Sequence, residues 1–160
     1  MKYHEFIDEF RKQVANISYE RQLNLAISVC SKLFPDYESF CEINNFGNPQ
    51  ILQKAITLLK NSEFISENEI KKNISEIEQN TPDAEDYMDC SYALNACISI
   101  IHSLHFILDK DPDRVFAVGT CLTDTIDFRI QENQDLTEEE IDKQPFMIEA
   151  RDFLLKATSN

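Results

Sequence analysis

The chain has no tryptophan and, in 160 residues, only two glycines and five prolines. Hairpin turns draw heavily on glycine for positive φ, so a fold rich in β-hairpins finds little material here. Leu, Ile, Ala, Glu, Lys and Gln are plentiful instead, which favours helices. Basic residues are also scarce: 15 Lys and Arg stand against 29 Asp and Glu, a formal charge of −14. A surface of that sign repels nucleic acid and anionic lipid, so neither is expected as a partner. No apolar run approaches the roughly 18 residues that span a bilayer. The opening residues, MKYHEFIDEF, carry acids where a secretory leader has an apolar core. The expectation is a cytoplasmic protein with no membrane partner.

Paired cysteines are missing too. The five cysteines (Cys30, Cys41, Cys90, Cys97, Cys121) are odd in number, form no CxxC and lie among apolar or small residues. A disulfide framework or a zinc ribbon needs closer, paired spacing. They read as buried, reduced thiols.

What is present is helical punctuation. With 42% hydrophobic residues the chain folds despite its charge, and its length suits one domain spanning residues 1–160. Tyr3, Phe6, Ile7, Phe10 and Val14 form a helical stripe. Ser18 caps a second helix carrying Leu23, Ala26, Ile27, Cys30, Leu33 and Phe34. In FPDYESFCEINNFGNPQIL (34–52), Pro35 predicts one break and Gly47 a second. Asn48 then caps the next helix with Pro49 in its first turn, and Phe34, Phe40 and Phe46 seal the two corners. SENE (66–69) and TEEE (137–140) read as capping boxes. TPDAE (81–85) and DPDR (111–114) read as helix starts, and Pro145 opens a last helix bearing Phe146, Ala150, Phe153 and Leu154. Residues 87–108 are apolar on most faces, as a central helix should be. The predicted fold is all-α: a single compact domain of seven or eight helices around that buried helix.

The pieces FPDYESFCEINNFGNPQI (34–51), TPDAEDY (81–87) and ALNACISIIHSL (93–104) resemble the YjaG-like family of bacterial proteins, domain of unknown function 416. VGTCLTDTIDF (118–128) and TEEEIDKQP (137–145) extend the resemblance more weakly. It implies an all-α fold and supplies no catalytic residues. Family members usually continue for another helix or more, so the resemblance implies a chain shortened at its C-terminus. Some small immunity proteins of bacterial toxin systems are similar to this family, which raises that function for the chain.

Catalytic constellations are thin. His102, His105 and Asp109 lie at i, i+3 and i+7, a spacing that lets three metal ligands share a helix face. The blander reading is a core histidine and two residues near a helix end. Cys97 and His102 are five apart, a poor spacing for contact along one helix. Gly119 stands outside any Gly-rich phosphate loop. No catalytic residue and no cofactor is expected, although a helical metalloenzyme built on the His/Asp set remains an alternative.

Charge placement says more than charge amount. Residues 61–90 hold nine acids and two bases, and residues 131–142 hold six acids and no base. These two segments account for −13 of the −14. Acidic helix starts and solvated loops explain part of it. The functional reading is an acidic face aimed at a basic protein, a cognate toxin above all. Nuclease toxins are basic because they bind phosphate backbones. The expected function is therefore an immunity protein that blocks the active site of such a toxin, foremost a contact-dependent growth inhibition nuclease or ribonuclease. The alternative is a housekeeping or regulatory protein-binding module. Glu132, Asp135, Glu138, Glu139, Glu140 and Asp142 are the first candidates for the face, and Asp83, Glu85, Asp86 and Asp89 the second.

Overall fold

The computed structural model describes residues Met1–Asn160, and eight α-helices account for nearly all of its regular structure. In chain order they are α1 (Tyr3–Asn16), α2 (Tyr19–Asn44), α3 (Pro49–Lys60), α4 (Glu67–Gln79), α5 (Ser91–Asp109), α6 (Pro112–Gln131), α7 (Glu138–Ile141) and α8 (Pro145–Thr158). One 3₁₀ turn, Ser62–Phe64, joins α3 to α4. The expectation of an all-α fold of seven or eight helices holds.

Local chemistry places most of the starts. Ser18 Oγ accepts from the Arg21 amide at 3.2 Å, and Asn48 Oδ1 accepts from Gln50 N at 3.0 Å. Asp111 Oδ1 accepts from Asp113 N at 3.0 Å, with Pro112 in the first turn of α6. At α7 the box is reciprocal: Thr137 Oγ1 accepts from Glu140 N, and Glu140 Oε2 accepts from Thr137 N at 2.9 Å. At α4 only the serine half forms, Ser66 Oγ accepting from Glu69 N at 3.2 Å.

Two predicted boundaries are corrected. Pro35 does not break the chain; α2 runs through it for 26 residues. Proline removes one ladder bond, to the carbonyl of Ser31. Ser31 and Pro35 both lie on the solvent face, where water can satisfy that carbonyl. Leu33, Tyr37, Phe40 and Cys41 keep burying the opposite face across the gap. The helix ends at Asn45, whose left-handed backbone (φ 49°) sends its amide to the Cys41 carbonyl. Gly47 (φ +68°) comes two residues later, where a Cβ would strike the Tyr37 hydroxyl. Phe40 and Phe46 do seal this corner, with Tyr87 as the third ring at 5.2 and 5.4 Å. Phe34 instead packs against the main core.

The second correction is at TPDAE, which is not a helix start. Asp83 spends its side chain locally, accepting from Glu85 N at 2.9 Å. Its carbonyl takes the amides of Asp86 and Tyr87, so residues 81–90 form a loop of turns. The central helix accordingly begins at Ser91 rather than at residue 87.

α5 is central, packed by α2, α3, α4 and α6. It is 19 residues long and apolar enough, by length and composition, to cross a membrane, where the sequence had suggested no such segment. Here other helices cover it. Its buried hydroxyls return to their own helix, Ser99 to the Ala96 carbonyl at 2.8 Å and Ser103 to the Ser99 carbonyl at 2.7 Å. Cys30 Sγ lies 3.3 Å from Ser103 Oγ, and burial pushes that thiol up to about 11. All five cysteines are buried and unbridged.

Candidate functional site

The histidine set does not assemble. His102 is half-buried and its Nδ1 has no hydrogen-bond partner. Burial, then the charges of Arg114 and His105, hold its pKa below the ordinary histidine value. Asp109, at the end of the same helix, is already engaged: Arg114 Nε lies 3.1 Å from its carboxylate, and the Asp111 amide donates to it at 3.0 Å. No three His, Cys, Asp or Glu side chains converge as metal ligands would.

The acidic stretch 131–142 is continuous in sequence but not as a surface. Glu140 is turned back onto the Thr137 backbone, and that bond lowers its pKa. Glu139 pairs with Lys143 at 3.3 Å within one turn. Asp142 does not face solvent. Its side chain is 11% exposed and its Oδ1 lies 2.8 Å from Arg151 Nη1, itself 6% exposed. The contact is an ion pair without aligned hydrogen-bond geometry, and Arg151 Nε makes no bond. Arg151 also lies over the rings of Tyr3 and Phe6 and donates to the Met1 carbonyl at 3.1 Å. Asp142 thus ties the end of α7 to Arg151 of α8, which in turn reaches α1, and it is not a partner-facing acid. Glu138 lines a cavity of about 250 Å³ with Asp124, Asp127 and Arg151. Burial, then the neighbouring Asp127, raises the Asp124 pKa. Glu132 accepts from the Tyr92 hydroxyl at 2.9 Å, and Asp135 is exposed with no bond or ion pair.

The second-choice segment is the freer one. Asp83, Glu85, Asp86 and Asp89 are all exposed and none has an ion-pair partner. Met88, in their midst, is 100% exposed. This loop meets the end of α6 across a cavity of about 220 Å³ lined by Asp89, Ser91, Tyr92, Phe128 and Glu132. Phe128 is 48% exposed. One member of each acidic segment therefore faces the same opening, with apolar groups between them. Sequence reasoning missed Met88, Tyr92 and Phe128, because an exposed apolar residue and a buried one look alike in a helical pattern. The largest concavity, about 600 Å³, is lined in part by Glu20 and Glu63 and by Lys60 and Lys110, whose charges cancel.

Residues 9–158 match the family described as "Protein of unknown function (DUF416)". The chain belongs to this family. It is 22% identical over 124 residues to the uncharacterized protein YjaG of Salmonella typhimurium, and equally to YjaG of Salmonella typhi. Those matches cover 73% of this chain and 63% of each relative, so the match spans less than two thirds of those proteins. The crystal structure of a DUF416 family protein from Shewanella baltica OS155 superposes with a TM-score of 0.81 at 24% identity. That superposition covers 92% of this chain and 82% of the other, and it supports the helical fold.

Proposed function

We propose that this DUF416 protein is a non-catalytic binder that captures a basic protein through the 81–90 loop and the adjoining end of α6. The observation that carries this reading is a single loop with four exposed carboxylates that lack ion-pair partners, Asp83, Glu85, Asp86 and Asp89, and the fully exposed Met88. Exposed carboxylates accelerate the approach of a cationic surface, and an apolar side chain in the same loop supplies contact area once the water leaves. The finer reading is an immunity protein. In the cytoplasm it neutralises a basic bacterial toxin, foremost a nuclease or ribonuclease of contact-dependent growth inhibition, by covering the surface that would hold phosphate.

Co-expression with the protein encoded immediately upstream tests both levels. Rescue of growth, with a complex that co-purifies at low salt, supports immunity. A complex without any toxicity to relieve supports the coarser binding reading alone. Death of cells regardless of this chain, with no association at low salt, overturns both.

A further inference from the structure

The cavity between the first turn of α5 and the last turns of α6 has a specific chemistry. Two carboxylates, Asp89 and Glu132, and two rings, Tyr92 and Phe128, line it together with Ser91. No lysine or arginine is among these five residues, and neither carboxylate has an ion-pair partner. At about 220 Å³ it has room for one long side chain, below the roughly 300 Å³ where small-molecule sites begin. The protein already builds such an arrangement next door. Arg129 lies with its guanidinium carbon 5.0 Å from the Tyr92 ring centroid and pairs with Asp36 across the helices. Tyr92 is shared by the two arrangements: Arg129 with its partner Asp36 already lies by this ring, and the cavity adds the Phe128 ring with Asp89 and Glu132.

We propose that this cavity is a socket for one arginine side chain of the basic partner, with its guanidinium on the aromatic wall between Asp89 and Glu132. Phe128, which lines the cavity and is 48% exposed, offers cover for the aliphatic stem. Arginine fits better than lysine, because a planar guanidinium can stack on a ring while its edge bonds carboxylates, and it is less strongly hydrated than an ammonium. Two carboxylates line the one opening, which favours an occupant of positive charge. The inference rests on the partner reading above and names the contact that would give it selectivity.

The test uses the whole chain, labelled at methionine methyls and aromatic rings for NMR, and titrated at low salt with N-acetyl-arginine amide. The expected result is saturable shifts at Tyr92 and Phe128, with N-acetyl-lysine amide binding about threefold or more weakly. The paired substitutions Asp89→Asn and Glu132→Gln should weaken arginine binding about tenfold while the remaining spectrum stays that of the folded protein. Glutamine at 132 can still accept from Tyr92, so the wall survives the change. Absent saturation at these two residues, equal binding of lysine, or indifference to the double substitution each overturns the socket. The partner reading is scored separately with the upstream-encoded protein. Capture of that protein at undiminished affinity by the double variant leaves the partner reading standing and removes the socket. Arginine binding in the socket without capture of any upstream protein does the reverse.

Discussion

Gly119 and Asp142 show how much of this chain's specificity sits in single side chains, or in the lack of one. Gly119 lies within α6 where α1 crosses it, and a Cβ there would land on the Phe10 ring. Phe10 is stacked on Phe6 at 5.5 Å with both rings fully buried, so it has little room to yield. Gly119→Ala should therefore destabilise by about 1–3 kcal/mol through overpacking, although alanine is the better helix former. A thermal melt in which the variant unfolds at or above the original midpoint would show that the ring gives way freely. Asp142 makes the opposite case. Removing its carboxylate leaves the nearly buried Arg151 charge with the Met1 carbonyl, two ring faces and the Asp124, Asp127 and Glu138 carboxylates that share its cavity, none of them in a direct ion pair with it. Asp142→Ala should cost about 3 kcal/mol, near the lower end of the range for broken buried pairs because the pair is imperfectly aligned. Urea unfolding reads this directly, and a loss below about 0.5 kcal/mol would return Asp142 to the ordinary surface acids.

At the scale of elements, the chain spells out its helix starts better than its interruptions. Ser18, Asn48, Asp111 and the Thr137–Glu140 box each act through one named hydrogen bond to a neighbouring amide, which is why they could be read in advance. Pro35 and the TPDAE stretch misled for a shared reason. Each is a local signal whose meaning depends on what lies across from it, and that is fixed by packing. Pro35 falls on the solvent face, so burial of Leu33, Tyr37 and Phe40 outweighs one lost ladder bond. Thr81 could have capped a helix, but its hydroxyl donates back to the Ile77 carbonyl at 2.8 Å, and the turn that Asp83 closes brings Tyr87 against Phe40 and Phe46. The acidic face was legible only as composition. Which carboxylates are free depends on the Lys143, Arg151 and Thr137 partners that α7 and α8 bring to them. Because α2 remains helical through proline, Pro35→Ala should stabilise the protein by about 1–3 kcal/mol, restoring the bond to Ser31 and removing the ring clash. Offsetting this is the greater freedom that alanine gives the unfolded chain. A midpoint that falls on this substitution would mean that α2 uses the interruption, and a shorter helix would have to be sought in solution.

Across the whole molecule, the net charge of −14 comes almost entirely from residues 61–90 and 131–142, yet the fold treats the two segments differently. In the second, Glu139 and Glu140 are tied to Lys143 and Thr137, Asp142 is sealed under α8, and Glu138 turns toward Asp124 and Asp127. In the loop before α5, four carboxylates remain exposed beside Met88. Two triple reversals of equal charge separate total field from placement. Glu85→Lys, Asp86→Lys and Asp89→Lys change the net charge as much as Glu138→Lys, Glu139→Lys and Glu140→Lys, and they spare Asp83, whose side chain closes the turn. A partner guided by overall charge alone would slow equally in both cases. One that docks on the 81–90 loop should associate about tenfold more slowly with the first variant than with the second, and with a flatter salt dependence. The second variant should instead lose helix α7 and about 1 kcal/mol of stability, because Glu140 closes its capping box. Stopped-flow association with the upstream-encoded protein over a range of salt distinguishes the two. Equal slowing would place the field in the molecule as a whole, and greater slowing by the second variant would move the docking face back to α7.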